Sequence, residues 1–196
     1  MLFRSDRLRG DAPVWIIDPV DGTANFAAGR NRFSVIVAYA VGGLARAGWI
    51  LDPVNGRMAS AEEGGGAFLD GRRASVTAPS RIAEMRGSLG GRLRRNAALC
   101  GHFAAVINAG SCGIEYIELA AASLDFAHYR RLKPWDHAAG ELIYRESGGH
   151  AACLDSGRYR PATPADGGLL LAPDREAGRA IADLLAPAVA ALPPAR

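Results

Sequence analysis

The chain has 196 residues, enough for one substantial hydrophobic core, and its hydrophobic fraction of 49% and charged fraction of 22% are those of an ordinary globular protein. No apolar run approaches the ~20 residues that a bilayer-spanning helix needs, and the first ten residues lack the apolar stretch of a signal peptide, so we expect a cytoplasmic protein with no membrane partner. The net charge of +3 comes from scattered arginines without interleaved aromatic residues, which argues against nucleic-acid binding.

The cysteines Cys100, Cys112 and Cys153 are odd in number, widely spaced and free of any C-x-x-C pairing. This pattern supports neither a disulfide framework nor a zinc site. We expect three free, buried thiols.

The first part of the chain has the pattern of an antiparallel sheet. Strand-like runs occupy residues 15–17, 32–40 and 44–51, and a Gly-Gly pair between the last two indicates a hairpin. The sequence DPVNG at 52–56 predicts a second turn, and Asp70-Gly71 predicts another hairpin. Residues 11–80 are therefore expected to form the sheet half of one domain spanning 1–196.

Residues 81–196 are expected to form an α/β half. Helical periodicity appears at 113–124, 136–147 and 174–191, the second helix stopped by Gly148-Gly149 and the third closed by Pro193-Pro194. Strand-like runs lie at 104–108, 125–129, 150–154 and 168–172. The chain as a whole predicts a layered α/β fold.

Two aspartates follow the first predicted strand, in the sequence WIIDPVDGTANF from Trp15 to Phe26. Pro19 disfavours helical geometry at Asp18, so we expect the strand to end there and the chain to turn. The carboxylates of Asp18 and Asp21 and the freed carbonyl of Val20 would then offer hard oxygen ligands, which suit Mg²⁺ or Mn²⁺ better than zinc.

Gly22, Thr23 and Ala24 open a short helix directly behind these carboxylates. Its unpaired N–H groups favour an anion such as phosphate, and a metal beside a phosphate indicates phosphate-ester chemistry. The alternative is a plain turn with aspartate caps, which is the commoner fate of a D-P-x-D-G string.

Asp136 begins a predicted helix after Pro134 and Trp135. Taken alone it is most simply a helix N-cap. Combined with the first loop, it becomes a third candidate metal ligand.

Three segments together resemble the inositol monophosphatase family, the magnesium-dependent, lithium-sensitive carbohydrate phosphatases. WIIDPVDGTANF resembles the family motif W-x-(I/V)-D-P-(I/V)-D-G-T-x-N-F, and PWDHAAGELIYRESGG resembles W-D-x-A-A-G-x-x-(L/I)-x-x-E-A-G-G. Between them, LDPVNGRMASAEEGGGAFLDGRR is similar to the family hairpin. The resemblance implies a layered αβαβα sandwich, here without its N-terminal helical layer.

By this resemblance Asp18 would bridge two metal ions, the Val20 carbonyl would be the main-chain ligand of the first metal, and Asp21 and Asp136 would hold the second. The implied cofactor is Mg²⁺, with Mn²⁺ as the alternative, and the implied chemistry is direct attack of metal-activated water on phosphorus.

Gly22, Thr23 and Ala24 match the segment that holds the substrate phosphate, and the Thr23 hydroxyl matches the group that orients water. Gly110 and Ser111, with Cys112, match a turn beside the substrate. The four histidines fit no metal spacing, and His137 is expected on a helix surface.

Two departures from the family pattern matter. Relatives carry an N-terminal helical layer and a strand ending in a Glu-Glu pair, whereas Asp6 and Asp11 lie too close to the first strand to replace it, and Glu62 and Glu63 belong to the hairpin and are expected to be solvated. The resemblance therefore implies either a fragment, which we favour, or a shortened variant with an incomplete first metal site. In both cases exposed apolar sheet surface, weak Mg²⁺ affinity and little activity are expected.

Before the W-D motif, inositol-selective relatives carry a glutamate, but here Arg130 or Arg131 stands near that place. An arginine there would favour a substrate with a second anionic group, unless both side chains point to solvent.

The leading expectation is a phosphomonoesterase acting on a small polyol or sugar phosphate, with a homodimer as a family expectation. The alternatives are 3′(2′),5′-bisphosphate nucleotidase, fructose-1,6-bisphosphatase or histidinol-phosphatase activity, or a catalytically incomplete interaction protein.

Overall fold

The computed structural model describes residues 5–77, 79, 81–155, 157–162 and 167–192. In this part of the chain, the strands are β1 Val14–Asp21, β2 Ser34–Val41, β3 Leu44–Asp52, β4 Arg57–Glu62, β5 Gly66–Leu69, β6 Arg72–Arg73, β7 Arg86–Leu89, β8 Ala105–Ile107, β9 Phe126–Tyr129, β10 His150–Cys153 and β11 Leu169–Ala172. The α-helices are α1 Thr23–Ala27, α2 Gly91–Arg94, α3 Ala97–Cys100, α4 Cys112–Ala120, α5 Pro134–Glu146 and α6 Arg175–Ala190. Short 3-10 helices occupy Ser5–Arg9 and Ile82–Glu84.

Strands β1 to β6 form one antiparallel sheet in chain order. Its tight turns follow the local sequence: Gly42 and Gly43 have positive φ between β2 and β3, as do Asp70 and Gly71 between β5 and β6. The hairpins predicted from the sequence are therefore confirmed.

Strand β1 runs past the point where the sequence predicted its end. Asp18 pairs with Ile36 and Asp21 with Ser34, and the register shifts between these two pairs. Pro19 has no N–H to give to the ladder, so the strand bulges at this point and resumes at Asp21. The prediction that the strand ends at Asp18 was wrong, because a bulge with a local turn interrupts the strand there without ending it.

The second sheet has the order β10-β11-β9-β7-β8. Strand β7 pairs in parallel with both β8 and β9, whereas β11 is antiparallel to its two neighbours. Because β7, β8 and β9 run in one direction, the segments that follow them emerge at the same edge of the sheet. The sequence predicted β8 to β11 but missed β7.

Helices α4 and α5 lie between the two sheets, and α6 covers the far face of the second. Adjacent residues of β11 face opposite cores: Leu171 belongs to the core between the sheets, and Leu170 belongs to the core under α6. Helix α5 approaches β3 so closely that a Cβ on Gly48 would lie 2.9 Å from the Ala139 Cα. The layered α/β fold is thus confirmed.

The helix ends differ slightly from the predicted ones. Helix α4 stops at Ala120, where the chain leaves through Ala122 at φ 53°. Helix α5 begins at Pro134, which suits the first helical position because its missing N–H would have no partner there. Gly148 follows α5 at φ 92°, as predicted. The predicted stop at Pro193-Pro194 lies outside the described residues.

The outer face of the first sheet is apolar and open to solvent over the described residues. Trp15 is 59% exposed and its ring centroid lies 5.1 Å from that of Tyr39 and 6.1 Å from that of Trp49. Further exposed apolar side chains on the same face are Ile17, Leu51, Met58 and Phe68. No helix within the described residues is both long enough and apolar enough to span a membrane.

Candidate metal and phosphate site

Three carboxylates meet where β1 faces the start of α5. Asp18 and Asp21 flank the β1 bulge, and Asp136 lies in the first turn of α5. One carboxylate oxygen from each lies within 4.8 Å of the others. Residues more than a hundred positions apart thus present hard oxygen ligands to one small volume, which is the arrangement that a divalent cation requires.

The electrostatics of this cluster show how much negative charge it concentrates. Burial, together with the negative charges of Asp21 and Asp18, raises the pKa of Asp136 to about 7, against the opposing effect of the Lys133 charge. Burial also raises the pKa of Asp18, against the opposing effect of the Val20 N–H. Ionised oxygens held this close repel one another, so a divalent cation fits the donor set that the chain presents.

Asp21 is buried and firmly held through one of its oxygens. Its Oδ2 accepts hydrogen bonds from the Ser34 hydroxyl at 2.9 Å, the Ser111 hydroxyl at 2.5 Å and the Gly113 N–H at 2.8 Å. These three hydrogen bonds fix the orientation of the Asp21 carboxylate beside the other two. Ser34 was missed by the sequence analysis, since nothing local distinguishes a serine at a strand start.

The loop around Val20 has features of both structures that the D-P-x-D-G string predicted, a turn capped by an aspartate and a cluster of candidate metal ligands. The Val20 N–H donates to Asp18 Oδ1 at 3.0 Å, which is the hydrogen bond of an Asx turn. The Thr23 hydroxyl donates to the Val20 carbonyl at 2.9 Å. Asp18 therefore both stabilises the turn and contributes its carboxylate to the cluster.

Gly22 permits a close approach of two loops at the start of α1. Its φ is 82°, and a Cβ there would lie 2.9 Å from the Ser111 Cβ and 3.2 Å from the Gly110 carbonyl oxygen. The Asn25 N–H donates to the Gly22 carbonyl at 2.8 Å, so the preceding amides of Thr23 and Ala24 lie ahead of the helix's own hydrogen bonds. These are the two backbone amides that the sequence predicted would bind the substrate phosphate.

Asn25 joins these two loops from within. Its side-chain nitrogen donates to the carbonyl oxygens of Arg32 at 2.7 Å and Ala109 at 2.9 Å. Asn25 and Ala109 are both buried, so without this hydrogen bond the Ala109 carbonyl would lie unsatisfied in the interior. Asn25 belongs to the WIIDPVDGTANF motif, but nothing local in the sequence predicts that it connects these segments.

A cavity of about 720 Å³ extends from Asp136 toward the second sheet. Its lining includes Cys112 and the two arginines that the sequence singled out, Arg130 and Arg131. Gly110 and Ser111 instead pack against Gly22 and Asp21. Of the predicted substrate turn, Cys112 is the member that the cavity exposes.

Cys112, Asp136 and His137 form a second group whose candidate ligand atoms lie within 4.8 Å of one another. Both ring nitrogens of His137 are already engaged, Nδ1 with the Tyr116 hydroxyl at 3.2 Å and Nε2 with the Arg131 carbonyl at 2.9 Å. Burial and the nearby carboxylates raise the pKa of the Cys112 thiol well above its ordinary value, so the thiol stays protonated. This trio is poorly suited to hold a metal.

Three side-chain environments differ from expectation. His137 is fully buried in α5 rather than on a helix surface, because it packs beside Tyr116 and Tyr129. Glu63 pairs with Arg46, Arg145 and Arg158 and is only partly exposed, although Glu62 is exposed as predicted. Of the three cysteines, which were expected to be buried, only Cys153 is fully buried.

Comparison with known proteins gives a consistent result. Residues 4–191 match the sequence model of the inositol monophosphatase family. The chain is 35% identical over 155 residues to a fructose-1,6-bisphosphatase/inositol-1-monophosphatase of Thermotoga maritima, covering 72% of this chain and 56% of the relative. It is 33% identical over 154 residues to the Nus factor SuhB of Haemophilus influenzae, covering 73% and 57%.

Solved structures agree on the fold. The suhB protein of Bartonella henselae superposes with a TM-score of 0.80 at 28% identity, covering 89% of this chain and 73% of that one. Inositol monophosphatase II of Staphylococcus aureus gives a TM-score of 0.84 at 22% identity, covering 97% and 77%, and so supports the fold alone. The chain thus spans little more than half the length of the curated relatives that it matches.

Proposed function

Because the chain belongs to the inositol monophosphatase family, we propose that it hydrolyses a small polyol or sugar phosphate with the help of a divalent metal ion. The observation that carries the proposal is the meeting of Asp18, Asp21 and Asp136 within 4.8 Å. Burial and mutual repulsion raise the pKa of Asp136 to about 7, as expected of carboxylates arranged for a cation.

The proposed cofactor is Mg²⁺, with Mn²⁺ as the alternative, because the donors are carboxylate and carbonyl oxygens. Asp18, Asp21 and Asp136 would hold it, together with the Val20 carbonyl. When bound, such an ion supplies Lewis-acid chemistry to water and to phosphoryl oxygens.

The chain's own groups would then position the substrate. The amides of Thr23 and Ala24, with Gly22 leaving room beside them, would bind the ester phosphate. The Thr23 hydroxyl donates its proton to the Val20 carbonyl, so toward a water molecule it can act only as an acceptor. This fixes which way a water beside Thr23 would present its hydrogen, and so supports the proposed role of Thr23 in orienting the nucleophile.

Two alternatives are retained for specific reasons. The arginines of the cavity favour a substrate with a second anionic group, such as a bisphosphorylated sugar or nucleotide, over a polyol monophosphate. The relatives named as Nus factors favour an interaction protein, but the three carboxylates would then have no evident purpose. The homodimer and the cytoplasmic location stay predictions.

The test is metal-dependent phosphate release. We expect saturating Mg²⁺ to stimulate a slow release of phosphate, in keeping with the weak Mg²⁺ affinity and low activity predicted from the sequence, from at least one of a panel of inositol, histidinol, fructose and adenosine phosphates. Replacing Asp18→Asn should lower that rate about a hundredfold or more, because a neutral amide binds a divalent cation far less well. Asp183→Asn on the exposed side of α6 is the matched control and should keep the parent rate. Equal rates for Asp18→Asn and the parent chain would overturn the proposal.

A further inference from the structure

We propose that Glu115, a buried glutamate on α4, is a positioning residue for the carboxylate cluster, because it holds the loop whose groups fix the Asp21 carboxylate. The inference rests on the proposed function and adds to it a residue that lies outside all three family motifs. Glu115 would act through the segment at residues 108–111, which we call the anchor loop.

The Glu115 side chain holds the anchor loop from the side of α4. Only 2% of the residue is exposed, and its Oε1 accepts a hydrogen bond from the Ala109 N–H at 2.7 Å. The Ala109 carbonyl in turn accepts a hydrogen bond from the Asn25 side chain of α1 at 2.9 Å. Both backbone polar groups of Ala109 are therefore engaged by side chains from two different helices, so the loop is held from both sides.

The far end of the anchor loop fixes Asp21. The Ser111 hydroxyl donates to Asp21 Oδ2 at 2.5 Å, and the Gly113 N–H at the start of α4 donates to the same oxygen at 2.8 Å. The Gly110 carbonyl lies so close to Gly22 that a Cβ on Gly22 would be 3.2 Å from it. A displacement of the anchor loop would therefore move both the carboxylate and the start of α1. Groups that orient metal ligands in this way contribute to metal affinity.

A glutamate is a costly residue at a position that only fills the core. Burial raises the pKa of Glu115, against the opposing effects of the hydrogen bonds from the Ala109 N–H and the Ser88 hydroxyl. A well-packed apolar residue of the same size is often at least as stabilising as a buried charged one. The core positions Ile117 and Leu119 of the same helix are indeed apolar. The oxygen at position 115 therefore serves the anchor loop.

The first experiment compares two substitutions that remove the same charge. Glu115→Gln keeps an oxygen that can accept from the Ala109 N–H, whereas Glu115→Met has a similar length and no such oxygen. The affinity for Mn²⁺ alone is measured from the loss of the free-ion EPR signal. We expect Glu115→Met to bind Mn²⁺ about tenfold more weakly than the parent chain, as is usual when a group that supports a metal ligand is removed. Glu115→Gln should stay within about threefold of the parent, since the hydrogen bond is kept.

Glu141→Met is the matched control. Glu141 is also a buried glutamate whose pKa is raised by burial, but it lies on α5 and its carboxylate is 3.7 Å from Arg145. This variant should keep the Mn²⁺ affinity of the parent. Equal affinities of Glu115→Gln and Glu115→Met would overturn the inference, as would an equal loss in Glu141→Met. Absence of Mn²⁺ binding to the parent would instead overturn the proposed function, and this inference with it.

Amide hydrogen exchange in the parent chain gives a second measurement that does not depend on the folding of a variant. Because coupling between a bound ion and the anchor loop is reciprocal, saturating Mg²⁺ should slow exchange of the Ala109 amide about threefold or more. The reference is the Ala177 amide of α6, which also donates to a carboxylate, that of Asp174 at 2.8 Å. An Ala109 amide that responds to Mg²⁺ no more than the Ala177 amide would overturn the inference.

Discussion

Asn25 joins the start of α1 to the loop before α4 through two donated hydrogen bonds, to the carbonyls of Arg32 and Ala109. Replacing Asn25→Ala would leave these two acceptors unsatisfied near a buried position. We expect a loss of unfolding free energy of about 1–3 kcal/mol, the usual cost of stranding buried polar groups. Chemical denaturation at neutral pH measures it.

The control for this prediction is Asn55→Ala. Asn55 is exposed, and its side chain bonds only locally, to Asp52 at 2.7 Å. Its replacement should cost less than about 1 kcal/mol, because the Asp52 carboxylate keeps the hydrogen bonds from the Val54 and Asn55 N–H groups. A loss at Asn25 no greater than at Asn55 would show that the two loops are held together in some other way.

At the residue scale, the three carboxylates of the cluster could be predicted from the sequence, whereas the residues that hold the surrounding loops in place could not. Asp18 and Asp21 stand beside a proline and a glycine that mark an unusual backbone, and Asp136 stands at a helix start, so each carries a local signal. Ser34 and Asn25 act on groups that only the tertiary fold brings near them. No local pattern in the sequence records such contacts.

Helices α4 and α5 contact each other at a position where a side chain would not fit. A Cβ on Gly140 would lie 2.1 Å from the Tyr116 ring, and that ring is held by its hydroxyl's contact with His137. Replacing Gly140→Ala raises helix propensity by about 1 kcal/mol but overpacks the contact. We expect net destabilisation of about 1–3 kcal/mol in a denaturant titration.

Gly91→Ala provides the comparison, because a Cβ at Gly91 in α2 would meet no atom within 4 Å. This substitution should be neutral or stabilising by up to about 1 kcal/mol. If Gly140→Ala were equally tolerated, the close packing of the helix pair would be disproved.

At the element scale, the sequence predicted those elements whose signals are local. The hairpins follow from glycine turns, and the long helices from their periodicity. Strand β7 escaped because it contains Gly87, where a Cβ would lie 2.1 Å from the Phe126 ring of the neighbouring strand. The packing between strands requires a glycine, which has poor strand propensity, so the sequence gives no clear strand signal here. Because β7 was not predicted, the arginines that follow it were not identified as cavity-lining residues either.

The stability of the whole molecule should depend on pH through its buried histidines. Burial lowers the pKa of His128 and of His137 from 6.5 to about 4. Between pH 6.5 and 4 the unfolded chain therefore binds protons that the folded chain excludes, so stability falls as pH falls through this window. Each histidine contributes a slope of up to about 1.4 kcal/mol per pH unit.

We expect His128→Gln to reduce that slope by about 1 kcal/mol per pH unit, measured as the unfolding free energy between pH 6 and pH 4.5. The control is His102→Gln, whose ring is exposed in the folded chain and so changes its surroundings little on unfolding. A slope that stays the same in His128→Gln would mean that the folded protein admits a proton to this ring.

The site is assembled from every layer of the molecule. Asp18 and Asp21 come from the first sheet, Asp136 from the helices between the sheets, and the arginines of the cavity from the ends of the second sheet. A ligand that contacts residues from all three of these layers can bind only to the folded protein, in which the layers are packed together. Its binding therefore shifts the folding equilibrium toward the folded state. At a free concentration about 100 times its dissociation constant, such a ligand adds about 2.7 kcal/mol to the free energy of unfolding. Ligand binding at this site and the packing of the layers are thus thermodynamically linked.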